Sequence, residues 1–382
     1  MTPPILDATV DELRQGRTSV KWRVYDPDVL PLWVAEMDAS PCPAVVSAVR
    51  GAVERGDTGY AFAVPYAAGF ADFARARWGW NLDPGSAVAV TDVLTGIGHL
   101  LRLLTAEAGP VVVSPPVYNA FYDLIASVGR RVVEAPLTAD GRLDPESLAD
   151  AFRSATADGG RAAYLLCNPH NPTGTVPTVD ELATVARLAQ EHGVRVVSDE
   201  IHAPLVLGDV AFTPFLTVPG AGAGLTVTSA SKAWNLAGLK AALIVPGPDA
   251  VDDVRALHPL VTYGASHLGV VAQQAAWADG REWLDALRVE LETSRALLAQ
   301  LVSEQLPGAR LTSPDATYLA WLDCRGLGLG DRPGAVFLER GRVALSEGRT
   351  FGAAGTGFVR VNFATSPEVL RDAVARMASC VG

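Results

Sequence analysis

The stretch Ser229–Lys240 has the sequence S-A-S-K-A-W-N-L-A-G-L-K and follows a short apolar run, residues 225–227. Lys232 lies among small residues and hydroxyls, and it is one of only three lysines in the chain. A lysine removed from water loses its proton more readily, which leaves the nucleophilic amine that a Schiff-base lysine needs. The alternative is a lysine at a strand-to-helix corner with its ammonium group in solvent.

The composition describes a globular chain long enough for two domains. Its 382 residues are 49% apolar and 19% charged. The net charge of −11 argues against a nucleic-acid binder, because affinity for phosphate backbones comes from clustered lysine and arginine.

Targeting and cysteine features predict a cytoplasmic protein without metal or membrane partners. The first ten residues lack the charged and apolar regions of a signal peptide, and no run of about 18 apolar residues could span a bilayer. The four cysteines, Cys42, Cys167, Cys324 and Cys380, show neither metal-ligand nor disulfide spacing.

Short β-branched runs alternate with helical segments through the middle of the chain. Strands are predicted at 88–91, 111–114, 131–134, 162–167, 195–198 and 225–229, and a helix at 179–192. This alternation predicts an α/β fold with a mostly parallel sheet covered on both faces. Ligands of such sheets bind beyond the carboxyl ends of the strands.

Three regions divide the chain. We predict an N-terminal arm at 1–45 that joins the small domain, a large α/β domain at 46–275 and a smaller α+β domain at 276–382. The arm contains L-P-L-W-V-A-E-M-D at 30–38, where apolar residues and two acids lie close together. This pattern predicts a segment that enters a pocket, or alternatively a strand end that packs on its own domain.

A glycine-rich segment, T-G-I-G at 95–98, separates a predicted strand from a helix that we expect to begin at His99. Glycines there free backbone N–H groups to face an anion such as a phosphate at the helix N-terminus. The alternative is an ordinary turn.

Polar residues follow two buried strands. The segment 167–174, C-N-P-H-N-P-T-G, is a rigid polar loop that is costly to bury unless it binds something. Asp199 ends the next strand, where a lone carboxylate needs a cationic partner such as a pyridinium nitrogen. His202 follows it and is either part of the same site or a core histidine.

The strand F-V-R-V-N at 358–362 alternates apolar residues with Arg360 and Asn362. Its guanidinium group could hold a carboxylate through two parallel hydrogen bonds. The alternative is an arginine on a surface strand.

These segments together resemble a known family. N-P-T-G at 171–174, S-D-E at 198–200, S-x-S-K at 229–232 and F-V-R-V-N at 358–362 are similar to the class I/II aminotransferase superfamily of fold type I pyridoxal-phosphate enzymes. Its cystathionine β-lyase, or C–S lyase (MalY/PatB), branch is resembled by L-P-L-W-V-A-E-M-D at 30–38, G-Y-A-F at 59–62, P-P-V-Y-N-A-F-Y at 115–122, C-N-P-H-N-P-T-G at 167–174, S-D-E-I-H at 198–202 and A-T-Y-L-A-W-L-D at 316–323. The resemblance implies a large domain with a mostly parallel seven-stranded sheet between helices, a smaller α+β domain, and a homodimer with active sites at the subunit interface.

The resemblance also implies a role for each candidate residue. Lys232 would form the Schiff base with pyridoxal 5′-phosphate and move the α-proton, and Asp199 would hold the ring nitrogen protonated. The remaining ring and phosphate contacts would come from Asn171, His202, Tyr118, Gly96, Ile97, Ser229, Ser231, Lys240 and, from the neighbouring subunit, Tyr60. Tyr118 and Tyr60 would also serve catalysis, and Arg360, Trp33 and Asn171 would bind the amino-acid substrate.

Some positions depart from this branch. Glu36 replaces an aspartate, Ala39 an aromatic residue and Glu347 a proline, and residues 175–177 lack the usual arginine and tryptophan. Since Glu36 and Ala39 would border the substrate side chain, the pocket is expected to differ there.

The leading interpretation is a pyridoxal-phosphate-dependent lyase that cleaves cystathionine or related cysteine S-conjugates to a thiol, pyruvate and ammonia. The alternatives are an aminotransferase that uses the same residues, and a cofactor-binding regulator without catalytic activity. The presence of Lys232, Asp199 and Arg360 argues against the last of these.

Overall fold

The computed structural model describes residues 4–381. Residues 1–3 and 382, which the predicted arm and small domain include, lie outside the described residues. The α-helices are α1 Val10–Gly16, α2 Val20–Arg23, α3 Pro43–Glu54, α4 Val64–Trp78, α5 Val93–Leu104, α6 Ala120–Ser127, α7 Pro145–Thr156, α8 Val179–His192, α9 Val251–Arg255, α10 Pro259–Thr262, α11 His267–Asp279, α12 Arg281–Gln305, α13 Pro333–Gly341 and α14 Pro367–Ala378. The strands are β1 Leu30–Pro31, β2 Val88–Val90, β3 Pro110–Val113, β4 Arg131–Glu134, β5 Ala162–Cys167, β6 Val194–Asp199, β7 Leu225–Thr228, β8 Ala242–Pro246, β9 Arg310–Thr312, β10 Leu319–Asp323, β11 Val343–Ala344, β12 Ser346–Glu347 and β13 Phe358–Asn362.

A seven-stranded sheet with the order β2-β8-β7-β6-β5-β3-β4 forms the centre of the fold. Strands β3 to β7 pair in parallel, whereas β8 runs antiparallel to both β7 and β2. The predicted mostly parallel α/β sheet is therefore confirmed. The sequence analysis did not predict β8, because its wholly buried apolar run gives no periodicity that reveals a strand or its direction.

Helices cover both faces of this sheet. Ile97 and Leu101 of α5 pack on one face with the apolar side chains of β3 and β7. Phe152 of α7 and Leu182 of α8 pack on the other face. Because both faces are buried, the strands are continuously apolar and polar side chains collect where the strands end.

Helix α5 begins six residues earlier than the sequence analysis predicted. Asp92 caps it, with the side chain accepting a hydrogen bond of 2.8 Å from the amide of Thr95. Gly96 and Gly98 therefore lie inside the helix and not in a turn. A Cβ at Gly96 would lie 3.0 Å from Cγ2 of Val90, so this glycine allows the helix to approach the sheet closely.

The C-terminal unit is built around a four-stranded sheet with the order β12-β13-β10-β9. Its neighbouring strands pair antiparallel, and α12 and α14 pack together beside it. Strand β1, which lies in the predicted arm, pairs in parallel with β11. Within the described residues, no helix has the length and apolar character needed to cross a membrane.

Candidate active site

A cavity of about 170 Å³ lies at the carboxyl edge of the central sheet. Polar side chains that follow different strands meet at this edge because β5 and β6 end in register, with Cys167 opposite Asp199. The cavity is lined by Ala35, Asp92, Val93, Leu94, Tyr118, Cys167, Asn171, Asp199, Ile201, His202, Ser231, Lys232, Ala237 and Lys240. Seven of the predicted site residues are in this set: Tyr118, Asn171, Asp199, His202, Ser231, Lys232 and Lys240.

Lys232 points into the cavity from the turn after β7. Its Nζ donates a hydrogen bond of 2.9 Å to the carbonyl oxygen of Ala35, which also accepts one of 3.0 Å from the hydroxyl of Tyr318. Burial, helped by the positive charge of Arg360 and opposed by Asp199, lowers the pKa of Lys232 to about 8. With this pKa, about a tenth of the amine is neutral at pH 7, far more than for an ordinary lysine, and the neutral amine is the nucleophilic form.

Asp199 is the buried carboxylate of the cavity. Its Oδ1 accepts a hydrogen bond of 3.1 Å from the amide of Ile201, and it forms no ion pair with any residue between 4 and 381. Burial raises the pKa of Asp199 to about 7, although the Ile201 amide and the charge of Lys232 oppose this. A cation bound at this end of the cavity would stabilise the ionised carboxylate.

His202 and Tyr118 add an imidazole and a phenol ring to the walls. His202 is buried, and its Nδ1 has no hydrogen-bond partner in the described part of the chain. Burial lowers the pKa of His202 to about 3, so the ring is neutral. His202 is therefore not a core histidine whose two ring nitrogens are both hydrogen-bonded within the described residues.

Arg360 is only 4% exposed, so the alternative of a surface-strand arginine is wrong. Its Nη1 donates to Oδ1 of Asn171 across 3.1 Å, and its Nη2 donates to the Trp33 carbonyl across 3.0 Å and to Ser346 Oγ across 3.2 Å. Nε has no partner, and no carboxylate among residues 4–381 forms an ion pair with the guanidinium group. Burial lowers the pKa of Arg360 to about 10, which still leaves it charged at neutral pH.

Trp33 contributes to this end of the site through its backbone. Its carbonyl oxygen accepts the Arg360 hydrogen bond and another of 2.6 Å from Ser346. Its indole packs edge-on against Tyr25, with ring centroids 5.9 Å apart. The side chain is not among the cavity walls.

Gly96 and Ile97, predicted to surround a phosphate, do not line the cavity. Both are buried one turn into α5 and face the sheet. Val93 and Leu94, at the first turn of the helix, form the wall instead. The glycines had been interpreted as an anion-binding turn, but in the structure Gly96 packs against the sheet and Gly98 against Leu124 and Val128 at the end of α6.

Lys240 and Asp92 lie at the same end of the cavity. Nζ of Lys240 donates to Oδ2 of Asp92 across 3.0 Å, and the lysine side chain is half exposed. An anion bound at the N-terminus of α5 would therefore share this lysine with a carboxylate. Asp92 was not singled out from the sequence, although an aspartate directly before a helical segment is a known capping signal.

Ser229 also differs from its predicted place. It is buried, and its hydroxyl lies 2.8 Å from the carbonyl oxygen of Ala241 and 3.1 Å from Oε1 of Gln273. It faces the interior instead of the cavity, and only Ser231 of the two predicted serines lines the wall.

Gln273 of α11 holds the turn that leads to Lys232. Its Oε1 accepts hydrogen bonds from the Tyr66 hydroxyl at 2.7 Å and the Ala230 amide at 2.9 Å, in addition to its contact with Ser229. Its Nε2 donates to the Ala241 carbonyl across 2.8 Å. No sequence signal marked this residue, because a single glutamine in a helix has no diagnostic spacing.

Lys21 is a second residue that the sequence analysis did not connect to the site. It is completely buried, pairs with Asp38 across 2.8 Å and donates to the Glu36 carbonyl across 3.0 Å. Trp22 Nε1 donates to the other oxygen of Asp38 across 2.8 Å. These contacts fix the arm segment whose Ala35 carbonyl binds Lys232.

The departures from the family pattern lie around this arm and the small sheet. Ala39 is buried, and its carbonyl accepts a hydrogen bond from Arg17, so its side chain does not border the cavity. The carboxylate of Glu36 accepts a hydrogen bond from Ser19. Oε2 of Glu347 accepts one of 3.2 Å from the amide of Ala335 and so caps α13.

Tyr60 is 93% exposed and does not line the cavity of its own chain. The large apolar side chains of Phe62 and Val64, which follow Tyr60 closely in the sequence, are also exposed, as are those of Leu260 and Tyr263.

Comparisons with known proteins place the chain in a family. The model of the aminotransferase class I and II family matches residues 27–377. A Mycobacterium leprae protein named "Putative cystathionine beta-lyase" is 50% identical over 98% of this chain and 97% of its own length. The "Cystathionine beta-lyase" of Corynebacterium glutamicum is 36% identical over 97% of this chain and 98% of its own.

A solved structure shares the whole fold. A protein from Corynebacterium diphtheriae described as a "putative plp-dependent beta-cystathionase" has 36% sequence identity and a TM-score of 0.92, with 99% of both chains covered. The family match extends over most of the sequence, and the similarity to these relatives extends from end to end. The chain belongs to the aminotransferase class I and II family.

Proposed function

We propose that the protein is a pyridoxal 5′-phosphate-dependent carbon–sulfur β-lyase of cystathionine or related cysteine S-conjugates. The observation that carries the proposal is one cavity that holds the Lys232 amine and the Asp199 carboxylate, with Arg360 bonded to the Asn171 of its wall. The names of the relatives at 36% and 50% identity support the same activity. In the reaction, the thioether amino acid and water give a thiol, pyruvate and ammonia.

The residues present fit pyridoxal phosphate. Asp199 would pair with the ring nitrogen, which supplies the cation that this buried carboxylate lacks. Asn171, whose Nδ2 has no partner among the described residues, would donate to the phenolate oxygen next to His202, and Tyr118 would lie against the ring.

The phosphate group would bind at the N-terminus of α5. Helix N-termini stabilise anions through free N–H groups and the helix dipole. Val93 and Leu94 provide this end of the wall, Lys240 lies at the same end beside Asp92, and Ser231 is also among the lining residues. When bound, the cofactor supplies an electron-accepting ring that stabilises negative charge at Cα of the substrate.

Arg360 and Lys232 would act directly on the substrate. The guanidinium group, held by Asn171, Trp33 and Ser346, would bind the α-carboxylate and orient the Cα–H bond. The Lys232 amine would accept the α-proton, and the Cβ–S bond breaks as the electron pair leaves with the thiolate. Burial keeps Lys232 neutral enough to accept a proton.

An acceptor-free assay tests the proposal. Purified protein loaded with pyridoxal phosphate is incubated with L-cystathionine or S-methyl-L-cysteine in the absence of any keto acid. Release of thiol and pyruvate in equal amounts over many turnovers is expected. Formation of a keto acid only once per active site, with the cofactor left in the amine form, would instead identify the aminotransferase.

We also infer a homodimer in the cytoplasm. Tyr60 and the exposed apolar side chains near it suit an interface through which Tyr60 would reach the phosphate of the neighbouring subunit. All four cysteines of the chain are buried free thiols, which supports a reducing compartment.

A further inference from the structure

A second cleft of about 300 Å³ lies beside the Lys232 cavity. Its walls are Gly16, Arg17, Thr18, Ser19, Glu36, Asn235, Ala237 and Gly238. Ala237 lines both spaces, and Ala35 of the first cavity is next to Glu36 of the second. A substrate whose reacting carbon lies at Lys232 could therefore extend its far end into this cleft.

The cleft contains one negatively and one positively charged side chain, Glu36 and Arg17. Neither Glu36 nor Arg17 forms an ion pair with any residue that the structure describes. Oε1 of Glu36 accepts a hydrogen bond from Ser19, and Nη2 of Arg17 donates one of 2.6 Å to the Ala39 carbonyl. The other guanidinium nitrogens of Arg17 make no hydrogen bond within residues 4–381.

Glu36 also lies within electrostatic reach of the reaction centre. Its negative charge raises the pKa of Lys232, against the larger effect of burial, and it also raises the pKa of Tyr318. Glu36 lines the second cleft and its neighbour Ala35 lines the Lys232 cavity, so a leaving group attached to the substrate sulfur could reach the Glu36 carboxylate.

We propose that this cleft is a subsite for the distal end of a thioether amino acid that carries both an ammonium and a carboxylate group. Glu36 binds the distal ammonium and Arg17 binds the distal carboxylate. The inference rests on the proposed function, since it assigns the leaving-group side of that same site. It predicts that zwitterionic leaving groups, as in cystathionine, are preferred to simple alkyl thiols.

Four substrates crossed with two variants test the assignment. The substrates are L-cystathionine, S-(3-aminopropyl)-L-cysteine, S-(3-carboxypropyl)-L-cysteine and S-propyl-L-cysteine, which differ only in the distal charges. Thiol and pyruvate release by holoenzyme gives kcat/KM for wild type, Glu36→Gln and Arg17→Gln. Arg23→Gln is the matched control, because Arg23 is exposed on the same arm and does not line the cleft.

The expected result is a charge-specific loss relative to S-propyl-L-cysteine. Glu36→Gln should lower relative kcat/KM about fivefold for the two ammonium-bearing substrates, and Arg17→Gln about fivefold for the two carboxylate-bearing ones, as for partly exposed ion pairs. Arg23→Gln should change none of the ratios.

Two other outcomes overturn different claims. If wild type cleaves the substrates but each variant changes all four values by the same factor, the subsite is wrong and the lyase assignment stands. If wild type releases thiol and pyruvate from none of the four, the proposed function fails and the subsite with it.

Discussion

Nη1 of Arg360 donates to Oδ1 of Asn171 across 3.1 Å, and this bond links two sheets. Arg360 lies on β13 of the four-stranded sheet, whereas Asn171 follows β5 of the seven-stranded sheet. The bond places the buried guanidinium group beside the side-chain amide of Asn171, whose Nδ2 has no hydrogen-bond partner within residues 4–381. This hydrogen bond would therefore connect the residue proposed to bind the substrate carboxylate, Arg360, with a residue proposed to bind the cofactor, Asn171.

Replacement of Arg360 by Gln should lower kcat/KM for cystathionine about 100-fold. Hydrogen bonds to charged groups contribute about 1.5 kcal/mol each at the low end of their range, and the α-carboxylate would lose two of them, which together gives a factor of about 100. Steady-state kinetics measure the effect. Arg342→Gln, which removes an exposed arginine paired with Asp26 and Asp28, is the control and should leave kcat/KM within about twofold. Equal losses in the two variants would contradict the role of Arg360.

Covalent capture of added pyridoxal phosphate by cofactor-free protein should depend on pH with a midpoint near pH 8. Below this pH, Lys232 is mostly protonated and cannot attack, and above it the amine is free. The rate should rise about tenfold per pH unit below the midpoint and then level off. Stopped-flow absorbance of the lysine adduct measures it, and Lys232→Ala should form no adduct. A rate still rising at pH 10 would show that burial does not lower the pKa of Lys232.

Gln273→Leu should destabilise the protein by about 2–6 kcal/mol. The Tyr66 hydroxyl and the Ala230 amide would lose their acceptor while buried, at about 1–3 kcal/mol each. Urea unfolding measures the change. Since the same turn leads to Lys232, the affinity for pyridoxal phosphate should fall as well.

Gln300→Leu is the matched control for this change, because Gln300 lies on α12 and bonds only to the exposed Glu304 side chain. We expect its stability within about 0.5 kcal/mol of wild type. If Gln273→Leu resembled Gln300→Leu in both stability and cofactor affinity, Gln273 would not hold the turn.

A mixture of Tyr60→Ala and Lys232→Ala chains tests whether Tyr60 serves the neighbouring subunit. Each mixed dimer would contain one site with an intact Lys232 from one chain and an intact Tyr60 from the other. Co-refolded chains should therefore recover about a quarter of wild-type activity, above the sum of the two parents. No recovery, or a monomer by sedimentation, would contradict the shared site.

The chemistry of the site was predictable because it follows from parallel strands. Asn171, Asp199 and Lys232 each follow a buried strand, and the ends of such strands meet at one edge. Arg360 was predictable from alternation along β13. The burial of the Arg360 side chain was not predictable, because it depends on the arm that covers β13.

The errors came from residues with more than one possible structural use. Gly96 suits a phosphate turn or a close helix–sheet contact, and only the position of the Asp92 cap distinguishes them. Ser229 resembles a ligand in sequence, but Gln273 draws its hydroxyl inward from 44 positions away. Long-range contacts of this kind leave no local pattern.

The Ala35 carbonyl that binds Lys232 belongs to an arm held by β11 and by Asn362 of β13. A ribosome therefore releases Lys232 and the whole central sheet before it releases the strands that bring this carbonyl into place. We expect a nascent chain that ends near Gly247 to form the sheet with an unfinished cavity. Only the emergence of β13 would bring Arg360 and the arm into place and so complete the cavity.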